Sequence, residues 1–82
     1  MYLTTKIMPL TSLLPGTTAR VVDVQGGLGF QRRLCMMGIT YGKKLRMVSM
    51  QPLHGPVTVE ISGRQVTLGR GMANKVLVEV VE

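Results

Sequence analysis

Glycine and proline interrupt this chain so often that only short secondary-structure elements fit between them. Ten Gly and four Pro stand among 82 residues, many paired at corners such as Pro15-Gly16, Gly26-Gly27 and Gly55-Pro56. Gly enters left-handed backbone at little cost and Pro lacks an amide proton, so both terminate helices and strands. Short Val-rich runs fill the intervals, the pattern of a small antiparallel β protein.

Leu10 to Leu14 ends at the Pro15-Gly16 turn, and Arg20 to Gln25 reads as a first strand with Val22 and Val24 on one face. Gly26-Gly27-Leu28-Gly29 breaks it. Phe30 to Met37 is the one helix, with Phe30, Leu34 and Met37 at i, i+4 and i+7 on a single face. Gly38 provides its C-terminal stop, and Gly42 closes the connecting turn. Lys43 to Gln51 forms a second strand with Leu45 and Met47 inward. After the corner Pro52 to Pro56, Val57, Val59 and Ile61 alternate with Thr58, Glu60 and Ser62 as a half-buried strand. A tight turn at Ser62-Gly63-Arg64 returns the chain through Gln65 to Leu68. Gly69 to Asn74 reads as one loose turn of 3₁₀ type, and Val76, Val78 and Val80 complete the last strand. Five short strands and one inserted helix in a single domain over 1–82 fit a mainly β, SH3-like barrel. An oligonucleotide-binding barrel has longer strands.

Apolar residues make up 45% of the chain and charged residues 17%, a globular balance. The single cysteine, Cys35, excludes an internal disulfide framework and any paired-cysteine metal motif. No apolar run approaches the about 20 residues of a membrane-spanning helix. Met1 to Leu14 lacks a signal-peptide pattern, so the expected location is the cytoplasm. His54 is the only histidine, and Asp23, Glu60, Glu79 and Glu82 are the only acids. With no nucleophile–base grouping and no phosphate-loop or zinc-helix motif, the chain is expected not to be an enzyme.

Charge is segregated along the sequence. Ten Lys and Arg against four acids give +6, and no acid occurs between Val24 and Val59, where Arg32, Arg33, Lys43, Lys44 and Arg46 all lie. Such a cluster attracts an acidic partner, although basic runs also serve simply to keep a small protein in solution. On the helix, Arg32 and Met36 stand about 40° apart, opposite the inward face. A flexible thioether beside a guanidinium suits an adaptable protein interface. A nucleic-acid surface is the alternative, weakened by the scarcity of free aromatics: Phe30 belongs to the core, leaving Tyr2 and Tyr41. Cys35 and His54 are weak metal-ligand candidates, since closed zinc sites need four protein ligands. The seven Met are scattered rather than clustered for Cu(I).

The run Arg33-Leu34-Cys35-Met36-Met37-Gly38-Ile39-Thr40-Tyr41-Gly42 resembles the RLxxMGLxxG signature of the FeoA family. Leu10 to Gly16 with Ala19 to Val22 resembles the family opening, Pro52 to Val57 its PxxxP corner, and Ala73 to Glu79 its AxxIxVE ending. The likeness covers about residues 8–81. It implies an SH3-like barrel with an inserted helix, in a cytoplasmic accessory protein of ferrous iron uptake at the inner membrane. The implied partner is a FeoB-type transporter, contacted through its cytoplasmic G-protein region. Arg32, Arg33, Met36, Lys43, Lys44 and Arg46 are then the expected contact residues, and Leu34, Met37, Gly38 and Gly42 the structural motif. The resemblance calls for no resident cofactor, with Fe²⁺ or another divalent transition metal the ligand to test, and nucleic acid is not an expected partner. Open sheet edges leave a homodimer available. Met36 stands where many members carry an acid, and His54-Gly55-Pro56 where many carry Gly-Asp-Pro.

Overall fold

The computed structural model describes residues 6–81; Tyr2 and Glu82, named above, lie outside them, as does the start of the segment Met1 to Leu14. Six strands form one antiparallel sheet: β1 Ile7–Pro9, β2 Thr18–Val24, β3 Lys44–Met50, β4 Val57–Ile61, β5 Arg64–Leu68 and β6 Val76–Val80. Their spatial order is β1-β6-β2-β3-β4-β5, so β1 and β5 are the edges. Two helices, α1 Leu28–Met36 and α2 Arg70–Ala73, and a 3₁₀ turn at Leu10–Ser12 complete the chain.

Period-two alternation builds the core. Leu45 and Met47 of β3, Val57, Val59 and Ile61 of β4, and Val76 and Val78 of β6 are all buried, as are Leu10, Leu13, Leu34, Ile39, Leu68 and Ala73. No polar or charged residue is buried with them among the described residues. Each large aliphatic side chain so removed from water contributes on the order of 1.5–3 kcal/mol.

The structure adds a strand to the five expected. β1 is only three residues long and ends in Pro9, which an edge strand tolerates because one side of its backbone needs no ladder partner. It pairs with β6 through Met8↔Val78. In β2 Ala19 and Val21 are buried and Val24 packs half-buried against the same core, while Val22 does not share that face. The strand starts two residues before Arg20 and carries a bulge, because its register against β6 moves from Val21↔Val78 to Asp23↔Leu77 and leaves Val22 as an extra residue. A second bulge at Val48 separates Met47↔Val59 from Ser49↔Thr58. The expected loose turn at Gly69 to Asn74 is the short helix α2, tied to the 3₁₀ turn by the Thr11 hydroxyl donating to Asn74 Oδ1 at 2.5 Å. No helix among the described residues is long and apolar enough to cross a membrane.

Candidate functional site

Helix α1 starts two residues before the expected Phe30, with Gly27 as its N-cap. Leu34 is fully buried, and Phe30 and Met37 pack half-buried against the core, so the inward face is the one the spacing predicts. Lys75 Nζ stands 5.1 Å above the Phe30 ring, a cation–π contact on the helix flank. At the other end the Gly38 amide donates to the Cys35 carbonyl at 2.9 Å and the Ile39 amide to the Leu34 carbonyl at 2.9 Å. This is the Schellman pattern, and its apolar clasp is the buried pair Leu34 and Ile39. Gly38 sits at φ +92°, where a Cβ would lie 3.4 Å from Arg64 Nη2. That same Nη2 donates to the Met37 carbonyl at 3.3 Å, fastening the helix end to β5. Gly42, at φ +85°, donates to the Val21 carbonyl at 2.8 Å and returns the chain to the sheet.

With Phe30, Leu34 and Met37 inward, the helix turns Leu28, Arg32 and Met36 outward, each four residues from the next. Leu28 is 72% exposed and Met36 84%. Arg33 is exposed in the last turn, where a cation complements the helix dipole. Lys43 and Lys44 follow the exposed Tyr41, and none of Arg32, Arg33, Lys43 and Lys44 forms an ion pair with another described residue.

Arg46 is placed differently. Register puts it opposite Glu60, and its Nε and Nη2 donate to Glu60 Oε1 at 3.2 and 2.9 Å. With Lys44, Thr18 and Ser62 it lines a shallow depression on the sheet. The second surface is a groove of ≈ 330 Å³ between α1 and the end of β2, lined by Arg32 and Cys35 among others. The two surfaces share no residue, so the basic run of the sequence divides in space into a helical part and a sheet part whose charge is partly neutralised.

Leu28, Gln31, Tyr41 and Asp23 also line the groove, and sequence reasoning did not single them out as site residues. The Gly26-Gly27-Leu28-Gly29 run read as a break, whereas the spacing Leu28, Arg32, Met36 carries the signal of a shared helix face. Gln31 sets the groove's width: its Nε2 donates to the carbonyls of Gly26 at 3.0 Å and Val24 at 3.3 Å, tying α1 to the end of β2. The β2 bulge reorients the strand at Asp23, as bulges beside binding sites do. Cys35 is exposed in this groove, while His54 is exposed at φ 61° in the β3–β4 corner. Among the described residues no three His, Cys, Asp or Glu side chains are grouped as metal ligands.

Residues 8–80 match the family model of the FeoA domain. A Methanocaldococcus jannaschii protein that bears the name Fe(2+) transport protein A is 36% identical over 74 residues, which are 90% of this chain and 88% of that one. The Fe(2+) transport protein A/Fe(2+) transporter FeoB fusion protein of Porphyromonas gingivalis is 36% identical over 74 residues, again 90% of this chain but 9% of the fusion. Among solved structures, the crystal structure of an iron uptake regulatory protein, FeoA, superposes with a TM-score of 0.86 at 29% identity, covering 93% of this chain and 100% of that chain. The fold is accordingly the small SH3-like barrel that the strand pattern predicts. The family match, the two relatives and the shared barrel together place this chain in the FeoA family.

Proposed function

We propose that this chain is a non-catalytic accessory protein of ferrous iron uptake that docks on a FeoB-type GTPase transporter and modulates it. The observation that carries the proposal is the Porphyromonas gingivalis relative, in which the same domain and a FeoB transporter occupy one polypeptide. A domain joined covalently to its partner in one protein works beside that partner at high effective concentration, and the domain's surface supplies the contact.

The outward face of α1 supplies that contact. Arg32, Arg33 and Met36 form its core, and Lys43 and Lys44 add attraction toward an acidic partner that weakens as salt rises. Arg46, held by Glu60, has a minor part. The chain acts without a resident metal, leaving Fe²⁺ to the transporter, and sits at the cytoplasmic side of the membrane through that partner. Tagged protein applied to detergent-solubilised membranes recovers a transporter with a GTPase domain. The double variant Arg32→Glu, Met36→Asp keeps its fold and loses that recovery. Equal recovery by the double variant removes α1 from the interface. Recovery of nucleic acid alone, vanishing with salt, replaces the docking proposal by a polyanion-binding barrel.

A further inference from the structure

We infer that Met36 is an oxidation site: an oxygen-transferring oxidant of the peroxide class converts its thioether to the sulfoxide, and that change withdraws the outward face of α1 from its partner. Six methionines lie among the described residues, and only one of them is exposed. Met47 is fully buried, Met8, Met37, Met50 and Met72 pack half-buried against the core, and Met36 is 84% exposed. Helix geometry makes the difference between neighbours, because Met36 and Met37 follow one another in sequence yet point about 100° apart around the axis. Oxidation needs an approach to the sulfur. One turn of chain therefore carries a thioether that an oxidant reaches and another that the core screens.

The step is a two-electron oxygen transfer. A lone pair of the Met36 sulfur attacks one peroxide oxygen, the O–O bond breaks and the S–O bond forms. The proton of the transferred oxygen passes to the departing one, which leaves as water. Sulfur is oxidised and peroxide reduced. A thiol-dependent sulfoxide reductase reverses the change, two thiols becoming a disulfide as the oxygen leaves in water. The product is polar where the thioether was apolar, so covering it with a partner costs the desolvation of a hydrogen-bond acceptor. The new oxygen also stands one helical turn from Arg32, at the i, i+4 spacing that lets side chains meet. Arg32 has no ion-pair partner among the described residues, so the sulfoxide competes with a partner's carboxylate for its guanidinium. One oxidation thus acts on both contact residues. Cys35 is exposed as well, but dithiothreitol returns its sulfenic acid or disulfide to the thiol and leaves a sulfoxide unchanged. That the change withdraws a docking surface rests on the docking proposal; the selectivity for Met36 does not.

The test is limited treatment of the whole chain with hydrogen peroxide, followed by dithiothreitol and by peptide mapping in the mass spectrometer. Sulfoxide forms at Met36 about tenfold faster than at Met37, and most slowly at Met47. The urea midpoint of chain oxidised at Met36 matches that of untreated chain, because the side chain is in solvent. A half-oxidised sample is then applied to detergent-solubilised membranes, before and after dithiothreitol, and bound and unbound chains are mapped separately. Met36 sulfoxide is depleted about tenfold among chains bound to the transporter, and methionine sulfoxide reductases restore binding. Equal rates at Met36 and Met37, or a urea midpoint that falls as Met36 sulfoxide accumulates, overturns the inference. A loss of binding that dithiothreitol reverses belongs to Cys35 and overturns it too. Equal shares of Met36 sulfoxide in bound and unbound chains overturn the withdrawal and leave docking standing. No transporter recovered even by untreated chain overturns docking and the withdrawal with it, and the rates as stated then leave Met36 as an oxidation site alone.

Discussion

The β4–β5 hairpin and helix α1 are both short and both pack on the same core, yet they finish their outer surfaces differently. On the hairpin, outward side chains satisfy one another: Thr58 and Thr67 hydroxyls lie 3.0 Å apart across the strands, and Glu60 is paired with Arg46. Of its inward positions, Val57, Val59, Ile61 and Leu68 are buried and Val66 is half-buried against the core. On α1, only Leu34 is fully buried, and Leu28, Arg32 and Met36 face solvent without a hydrogen-bond or ion-pair partner among the described residues. The hairpin is built to hold the barrel, and the helix to present a face. Unpaired charge next to exposed apolar surface costs little in the free chain and yields binding energy once a partner covers it.

The sharpest way to break this contrast is to empty the core beneath each element. Leu34→Ala and Ile61→Ala each lower unfolding free energy by about 2–5 kcal/mol, whereas Leu28→Ala and Met36→Ala stay within about 0.5 kcal/mol. Urea denaturation followed by circular dichroism reads both pairs. A loss at Leu28 as large as that at Leu34 would make the outward face a structural one.

A smaller effect is expected where the helix meets the sheet. Gly38→Ala places a Cβ at φ +92° and 3.4 Å from Arg64 Nη2, at a cost of about 1–2 kcal/mol in thermal unfolding. The substitution acts on the clasp that orients α1, so it weakens transporter capture more than its stability loss alone explains. Smallest is the outer face of the sheet: Arg46→Ala removes an exposed ion pair and costs about 0–1 kcal/mol. Its transporter recovery stays close to that of the unaltered chain, which distinguishes Arg46 from Arg32.

The same contrast explains what was legible in the sequence. Val57 to Ile61 and Val76 to Val80 alternate cleanly, and Phe30, Leu34 and Met37 repeat at helical spacing, so both strands and the buried side of α1 follow from local pattern. Gly38 and Gly42 mark their turns for the same reason, since only a residue without Cβ takes those backbone angles freely. The misses are all non-local. β1 has three residues and no alternation of its own, and becomes a strand only because β6 offers an edge. The bulge at Val22 shifts the parity of β2, so that Val24 joins Ala19 and Val21 on the core side and Val22 does not share its face, and nothing in Arg20 to Gln25 announces it. Arg46 meets Glu60 through a β3–β4 register that shifts just beyond that pair, a relation that a count of charges along the chain does not contain. The groove unites Asp23, Leu28 and Tyr41 from a strand, a helix and a loop, so it exists only once the sheet and the Gln31 tether have set their spacing.

The most direct measurement is amide hydrogen–deuterium exchange of the whole chain, alone and with a purified, detergent-solubilised FeoB-type transporter. The prediction is slowed exchange from Leu28 to Tyr41, with β4 and β5 unchanged. Protection of the β4–β5 hairpin or of the β1 edge, with α1 exchanging as in the free chain, would contradict the assignment of the helix as the docking face.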